Sequence, residues 1–314
     1  MRTSFALGQG VLWIARSVTV GRLVPFDVNG RRLGPGFSFR GIDDGPTQLG
    51  GLAIDDDRRL WVADAASGAL RAFTAFGTEV ATVRSAERPE VDRPSAFGDP
   101  TGIAARGVES EARLLLSRRG TRRHALQLVD AARGTVQSLR PGGEPEGRFH
   151  GLAGVALSGG LGYACETGRR AVQVFRGAEF HFRIEMPGAP RGEQDFVPRA
   201  VAAVADGRCV VGCDGPGGGG VFLFDAGGRL LRCLAEGERG DPAEAGGVED
   251  PSGIAVHEGA DDRGSLVLVL DRDGERVQAF TLAGASLGCF PALDLEPGGA
   301  GVELRTPARR PRPG

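Results

Sequence analysis

The chain repeats one short pattern about every 50 residues, and that repeat limits the folds open to it. DPSGIAV (250–256) has a near copy in DPTGIAA (99–105), and weaker copies stand at QLGGLAI (48–54), FHGLAGV (149–155) and VPRAVAAV (197–204). Leu52, Ile103, Leu152, Val201 and Ile254 hold the same apolar position in these copies. Each copy is followed by a second apolar run: RLWVAD (59–64), RLLLSR (113–118), LGYACE (161–166), RCVVGCD (208–214) and SLVLVLD (265–271). A third run follows, as in AVQVF and RVQAF, and then a short fourth, as in EFHFRI and RLLRCL. Residues 4–39 fit less closely, with SFAL, VLWIAR, RLVPFDVNG and GFSF, and bring the number of units to six.

Four short runs rich in Val, Leu, Ile and Phe, broken by Gly, Asp or Asn, read as a four-stranded antiparallel meander. The 52 glycines and 19 prolines, about a fifth of the chain, suit many tight turns. One such sheet cannot bury both faces, whereas several set around an axis can. The expected fold class is therefore all-β, a six-bladed β-propeller of four-stranded antiparallel blades, with no helical period anywhere. Residues 1–298 are expected to form the propeller. Residues 299–314 are expected to hold a closing strand, GVELR (301–305), and a disordered Arg/Pro-rich tail. Units 1 and 6 each hold all four runs, so closure would rest on packing between them.

DPSGIAVHE…LVLVLDRDGERVQAF (250–280) and GGLAIDDDRRLWVADAASGALRAF (50–73) carry a further signal. These stretches resemble NHL repeats, whose pattern runs P-x-G-I-A-V-D, then a strand ending V-A-D, then R-I-Q-V-F and a glycine turn. The resemblance covers about residues 4–290 and implies a propeller. That family and its six-bladed relatives include protein-binding scaffolds, RNA binders, lyases and lactonases, so fold alone does not select a function.

In a four-stranded blade the first strand lines the axis. The turn before it and the turn between strands two and three share one face of the disc, so side chains there converge on the channel mouth. Gly50, Thr101, His150, Arg199 and Ser252 stand just before the inner strands. Arg16, Asp64, Arg118, Glu166, Asp214 and Asp271 end the second strands. The resemblance implies a structural duty for the acids, each meeting an arginine that opens the third strand, Asp271 with Arg276 and Glu166 with Arg170. Arg16 and Arg118 replace the acid and are expected to face a ligand or a neighbouring acid. The expected channel-mouth set is therefore Arg16, Arg118, His150 and Arg199, with Asp64, Glu166, Asp214 and Asp271 as structural or secondary contacts.

Catalytic patterns are sparse. Phe149-His150-Gly151-Leu152 resembles the P-H-G-L segment of peptidyl-hydroxyglycine amidating lyases, which hold zinc with histidines from several blades. Here the equivalent positions are Gly50, Thr101, Arg199 and Ser252, and His124, His181 and His257 are not at ligand spacing. The asparagine-rich cation site of gluconolactonase-like propellers is not matched either, since Asn29 is the single asparagine. A calcium or magnesium ion on Asp64, Asp214, Asp271 and carbonyls stays open as the cofactor alternative. No G-x-S-x-G occurs. The glycine run at 212–222 lacks the end of a phosphate loop and reads as a flexible turn at the mouth.

Charge points to a lopsided mouth. Arginines cluster at 118–123 and 168–170, while Asp214, Asp271, Asp273 and Glu275 stand in the matching turns of units 5 and 6. The chain has no lysine, so coding bias toward arginine explains part of the clustering. A net charge of −2 gives no general case for nucleic acid or membrane. Five cysteines in mostly apolar runs read as buried reduced thiols. The N-terminus lacks a signal peptide pattern, and no run is long enough to span a membrane, so a cytoplasmic location is expected. The first reading is a non-catalytic scaffold that binds a protein, peptide or small ligand at the channel mouth. The alternative is a divalent-metal-dependent lyase or lactone hydrolase, and the second alternative is RNA binding.

Overall fold

The computed structural model describes residues 2–17, 20–42, 45–84, 97, 99–108, 111–119, 125–143, 147–188, 195–215, 217–237, 246–271 and 275–291. Within them lie six four-stranded antiparallel sheets, each built from consecutive strands. Blade 1 holds β1 (Arg2–Gly8), β2 (Val11–Ser17), β3 (Gly21–Asp27) and β4 (Phe37–Phe39). Blade 2 holds β5 (Leu49–Ile54), β6 (Leu60–Asp64), β7 (Ala69–Phe73) and β8 (Glu79–Val83). Blade 3 holds β9 (Pro100–Arg106), β10 (Arg113–Arg118), β11 (Ala125–Asp130) and β12 (Thr135–Leu139). Blade 4 holds β13 (Leu152–Ser158), β14 (Leu161–Glu166), β15 (Ala171–Arg176) and β16 (Glu179–Glu185). Blade 5 holds β17 (Val197–Ala203), β18 (Cys209–Gly215), β19 (Gly218–Phe224) and β20 (Leu230–Glu236). Blade 6 holds β21 (Gly253–His257), β22 (Leu266–Asp271), β23 (Arg276–Thr281) and β24 (Ser286–Pro291). The fold is the six-bladed β-propeller that the repeat predicts.

Burial follows the radial order of the strands. The middle strands are covered on both faces, so LWVAD and ALRAF are buried at every residue, while outer β16 and β20 are mostly exposed. The turn from third to fourth strand recurs in four blades. Asp27, Thr74, Asp225 and Thr281 each accept the N–H four residues on through a side-chain oxygen. Gly30, Gly77, Gly228 and Gly284 take the left-handed turn position, at φ 84° to 91°.

Six apolar clusters fill the six gaps between neighbouring blades. One joins the ends of the chain: Phe5, Leu12, Ile14, Val24 and Phe26 of blade 1 pack on Leu268, Leu270, Val277, Ala279 and Phe290 of blade 6. Phe26 and Phe290 stack at 6.5 Å between ring centroids. Burying side chains of this size is worth about 1.5–3 kcal/mol each. Among the described residues the ring closes by this packing, with each blade complete in itself. The expected closing strand at 301–305, the tail, His124 and Asp273 lie outside the described residues.

Two expectations change. The glycine run is mostly strand: the turn is confined to the hairpin between Gly215 and Gly218, and Gly218–Phe224 is β19, paired on both sides with β18 and β20. Its glycines let connecting backbone lie against the strand, as Gly219 donates to the Val248 carbonyl at 2.6 Å. The cysteines divide: Cys165, Cys209 and Cys213 are buried free thiols, Cys289 is half-buried and Cys233 is exposed. Burial pushes the Cys209 thiol up to about 12.

Close approach of inner strands sets a strict size limit. A Cβ on Gly154 of β13 would lie 2.8 Å from the Arg199 carbonyl oxygen and 2.9 Å from the Ala200 Cα of β17. Both are backbone atoms and cannot swing aside. Gly154→Ala is therefore expected to destabilise the protein by about 1–3 kcal/mol, read as a lower urea midpoint. An unchanged or raised midpoint would contradict this packing of blade 4 on blade 5.

Candidate functional site

The six inner strands enclose a central channel with a cavity volume of about 960 Å³. Its wall is mainly strand backbone and small residues, such as Gly51, Ala53, Gly102, Ala104, Gly154 and Ala202. Charged side chains enter only near its two ends. At the end where the inner strands finish stand Arg106 and Glu258. Glu258 accepts the Ala205 N–H at 2.9 Å, and Arg106 lies 3.4 Å from Asp56 of the neighbouring blade. That end is tied up in blade-to-blade contacts.

The end where the inner strands begin carries Arg119, Arg199, Asp214, Glu249 and Asp250, with Thr3, Thr101 and Ser252. Arg199 Nε donates to Asp214 Oδ2, which pairs the start of β17 with the end of β18. Asp214 Oδ1 is out of contact with solvent and has no hydrogen-bond partner among the described residues.

Asp214 differs from the other acids that end second strands. Asp64, Glu166 and Asp271 are 1%, 0% and 0% exposed and serve as clamps. Asp64 accepts the Gln48 N–H at 3.0 Å and the Ser67 hydroxyl at 2.7 Å. Glu166 accepts the His150 N–H at 2.7 Å and the Gln173 amide at 2.5 Å. Asp271 accepts the N–H groups of Glu249 (3.0 Å) and Asp250 (2.8 Å), both Arg276 donors, and the Gln278 amide. In each blade the acid therefore holds the connector that enters the inner strand.

The residue seven positions on completes the clamp. Gln173 accepts the Gly142 N–H, Gln278 accepts the Gly246 N–H, and Arg71 donates to the Arg40 carbonyl, each reaching the segment that leaves the previous blade. In blade 5 that position is Val221, an apolar residue. Gly219 instead bonds the connector that leaves blade 5 for blade 6, through the Val248 carbonyl, and Asp214 turns to Arg199.

The nominated residues thus separate. Arg199 and Asp214 line the channel together. Asp64, Glu166 and Asp271 are spent in three separate clamps. Arg276 meets Asp271 as the resemblance implied, but Arg169, not Arg170, meets Glu166, at 3.2 Å. A 3₁₀ turn over Thr167–Arg169 shifts the contact by one residue, and Arg170 pairs with Asp195. Arg16 and Arg118 are half-buried at the ends of β2 and β10 and do not line the cavity. His150 contributes its backbone to the Glu166 clamp, and its side chain is exposed outside the cavity wall.

Three lining charges at this end do not follow from the sequence reading: Arg119, Glu249 and Asp250. Arg119 sat unsingled within the arginine cluster, and Glu249 and Asp250 precede the copied P-S-G-I-A. Their signal is position: they belong to the segments next to the inner strands. Among the described residues no three His, Cys, Asp or Glu side chains are grouped to hold a metal ion.

No family model matches the chain, and no curated protein matches its sequence. Solved structures do share its fold. A virginiamycin B lyase from Staphylococcus aureus is 12% identical, with a TM-score of 0.57 over 92% of this chain and 83% of that one. A chain of a nidogen/laminin complex is 13% identical, with a TM-score of 0.50 over 74% and 78%. A chain of the COPII outer coat vertex on membranes is 11% identical, with a TM-score of 0.60 over 92% and 75%. At such identities the likeness establishes the six-bladed propeller and nothing finer.

The Asp271 clamp has a pH signature. Burial pushes its carboxyl up, but the Asp250 N–H, Arg276 and Gln278 outweigh that and hold it below the usual carboxylate range. A depressed folded value means the stabilisation is complete above the unfolded value, about 3.9, and is lost as pH falls through the folded value. Asp271→Asn should flatten the acid limb of stability against pH. Asp271→Ala, which takes the carboxylate away from the buried Arg276, should cost about 3–5 kcal/mol at neutral pH. An acid limb unchanged in Asp271→Asn would refute the clamp.

Proposed function

We propose that the protein is an NHL-like, non-catalytic binding propeller that takes a protein segment, peptide or small ligand at the end of the channel where its inner strands begin. One observation carries this reading: Arg119, Arg199, Asp214, Glu249 and Asp250 gather at one mouth of a channel of about 960 Å³, whereas the lining charges at the other end are tied up in blade-to-blade contacts. That volume falls in the range of ligand sites, roughly 300–1,000 Å³.

Other features accord with it. Two of the mouth hydroxyls are bonded to neighbours that cannot act as bases: Thr101 donates to the Ser117 hydroxyl, and Ser252 to the Leu270 carbonyl. His181 lies on outer strand β16, and His257 ends β21 at the far side of the disc. Two of the structures with a similar fold come from protein assemblies. Among the described residues no helix is long and apolar enough to cross a membrane. The buried free thiols support the cytoplasmic placement included in this proposal.

A photocrosslinking residue placed at Ser252 reports on the mouth, and one placed at Asp261 reports on the opposite face. In native extract the Ser252 probe should give a discrete adduct that Arg199→Glu removes, and the Asp261 probe should give none. Adducts from the Asp261 probe alone, or a Ser252 adduct indifferent to Arg199→Glu, would overturn the reading.

A further inference from the structure

Three exposed basic side chains, Arg119, Arg140 and His150, stand on one sector of the mouth face. Alternate strands of a blade run in opposite directions, so second and fourth strands end on the face where the inner strands begin. Arg119 follows the second strand of blade 3, lines the channel, and has its main chain fixed by an N–H bond of 2.9 Å to the Asp99 carbonyl. Arg140 follows Leu139 at the end of β12, and His150 follows Phe149 just ahead of β13. Leu139 and Phe149 pack in the cluster that fills the gap between blades 3 and 4, so Arg140 and His150 stand along that gap. None of the three side chains has an ion pair or hydrogen bond among the described residues. The acids of the same sector are spent. Glu166 is buried in its clamp, Asp195 pairs with Arg170, and Glu185 accepts Arg183 Nε at 2.6 Å. Asp99 is half-buried and has a partner of its own. Among the described residues this sector therefore presents net positive charge, on backbone fixed by strands and clamps.

Resting on the binding reading above, we propose that the partner is an acidic protein segment that runs from the mouth outward over the gap between blades 3 and 4. The forked donors of an arginine suit a carboxylate, and His150 offers a ring N–H to the same segment. β10 and β12 are two strand spacings apart, about 9–10 Å. Carboxylates that meet Arg119 and Arg140 together then stand about three residues apart in an extended segment. Arg199 is outside this contact set, because Asp214 already meets its charge. RNA is disfavoured, since its bases call for exposed rings to stack on. Phe149 and Phe175 are buried here, and Phe180 rests edge-on against Phe175, which leaves the His150 imidazole among the described residues of this sector.

Fluorescence anisotropy on the intact protein tests this with three labelled probes: a poly-Glu peptide, a Gly/Ser peptide and an oligo-U RNA of equal length. At about 0.15 M salt, exposed charges act over roughly 8 Å, so binding reports the local surface. Poly-Glu should bind and the Gly/Ser peptide should not. Arg119→Glu and Arg140→Glu should each weaken poly-Glu about fivefold, as expected when an exposed ion pair becomes a like-charge contact. Arg263→Glu, on the opposite face of blade 6, should leave it unchanged. Arg119→Gln and Arg140→Gln, with melting temperatures compared to wild type, separate charge from folding. Absence of poly-Glu binding, binding indifferent to Arg119 and Arg140, or tighter binding of the RNA through the same two residues would overturn the acidic partner. The mouth itself stands or falls separately, on the Ser252 adduct.

Discussion

Packing of each blade on its neighbours is the constraint on which everything else rests. A four-stranded sheet whose middle strands are apolar on both faces has no stable existence alone. Here the six gaps are filled by six apolar clusters, and the one between blades 6 and 1 does for the chain ends what the other five do within the chain. Because neighbouring inner strands approach to backbone contact at Gly154, the channel wall is close to rigid. A rigid wall fixes where the few charged side chains at its ends can lie.

A second layer of control is polar. In blades 2, 4 and 6 the clamp made by a second-strand acid and the residue seven positions later ties the incoming connector to its blade. Blade 5 has no such clamp: Val221 takes the place of the residue seven positions on, and glycines in β19 let the outgoing connector to blade 6 bond the strand directly. Its second-strand acid, Asp214, pairs with Arg199 on the channel wall instead. Blade 5 departs in this from blades 2, 4 and 6, and the Asp271 clamp of blade 6 fixes the backbone of Glu249 and Asp250 at the same end of the channel.

The repeat made the architecture legible, since apolar runs of four to seven residues with turn residues between them can satisfy both burial and backbone bonding only as meander sheets. The site was half legible. Arg199 and Asp214 follow from strand position alone. Asp64, Glu166 and Asp271 have the same positions in the sequence, yet their side chains fold back onto the connector, which position cannot reveal. His150 was marked by residue type, but the structure uses its N–H and leaves the imidazole outside the cavity. Glycine in β19 misled for a physical reason: glycine is poor in strands unless another backbone must come close, and that approach is a tertiary fact. Arg169 in place of Arg170 is a one-residue shift made by a 3₁₀ turn that has no clear signal in TGRR.

The seam between the chain ends is the part of the structure to test. Hydrogen exchange of Phe26→Ala is the direct measurement, because Phe26 lies in that cluster and contacts nothing at the mouth. Loss of such a side chain costs about 3–5 kcal/mol. If packing closes the ring, protection should fall together in β1–β3 and β21–β23 and weaken around all six blades. Protection lost in blade 1 alone, with blade 6 unchanged, would show that the two ends do not hold each other.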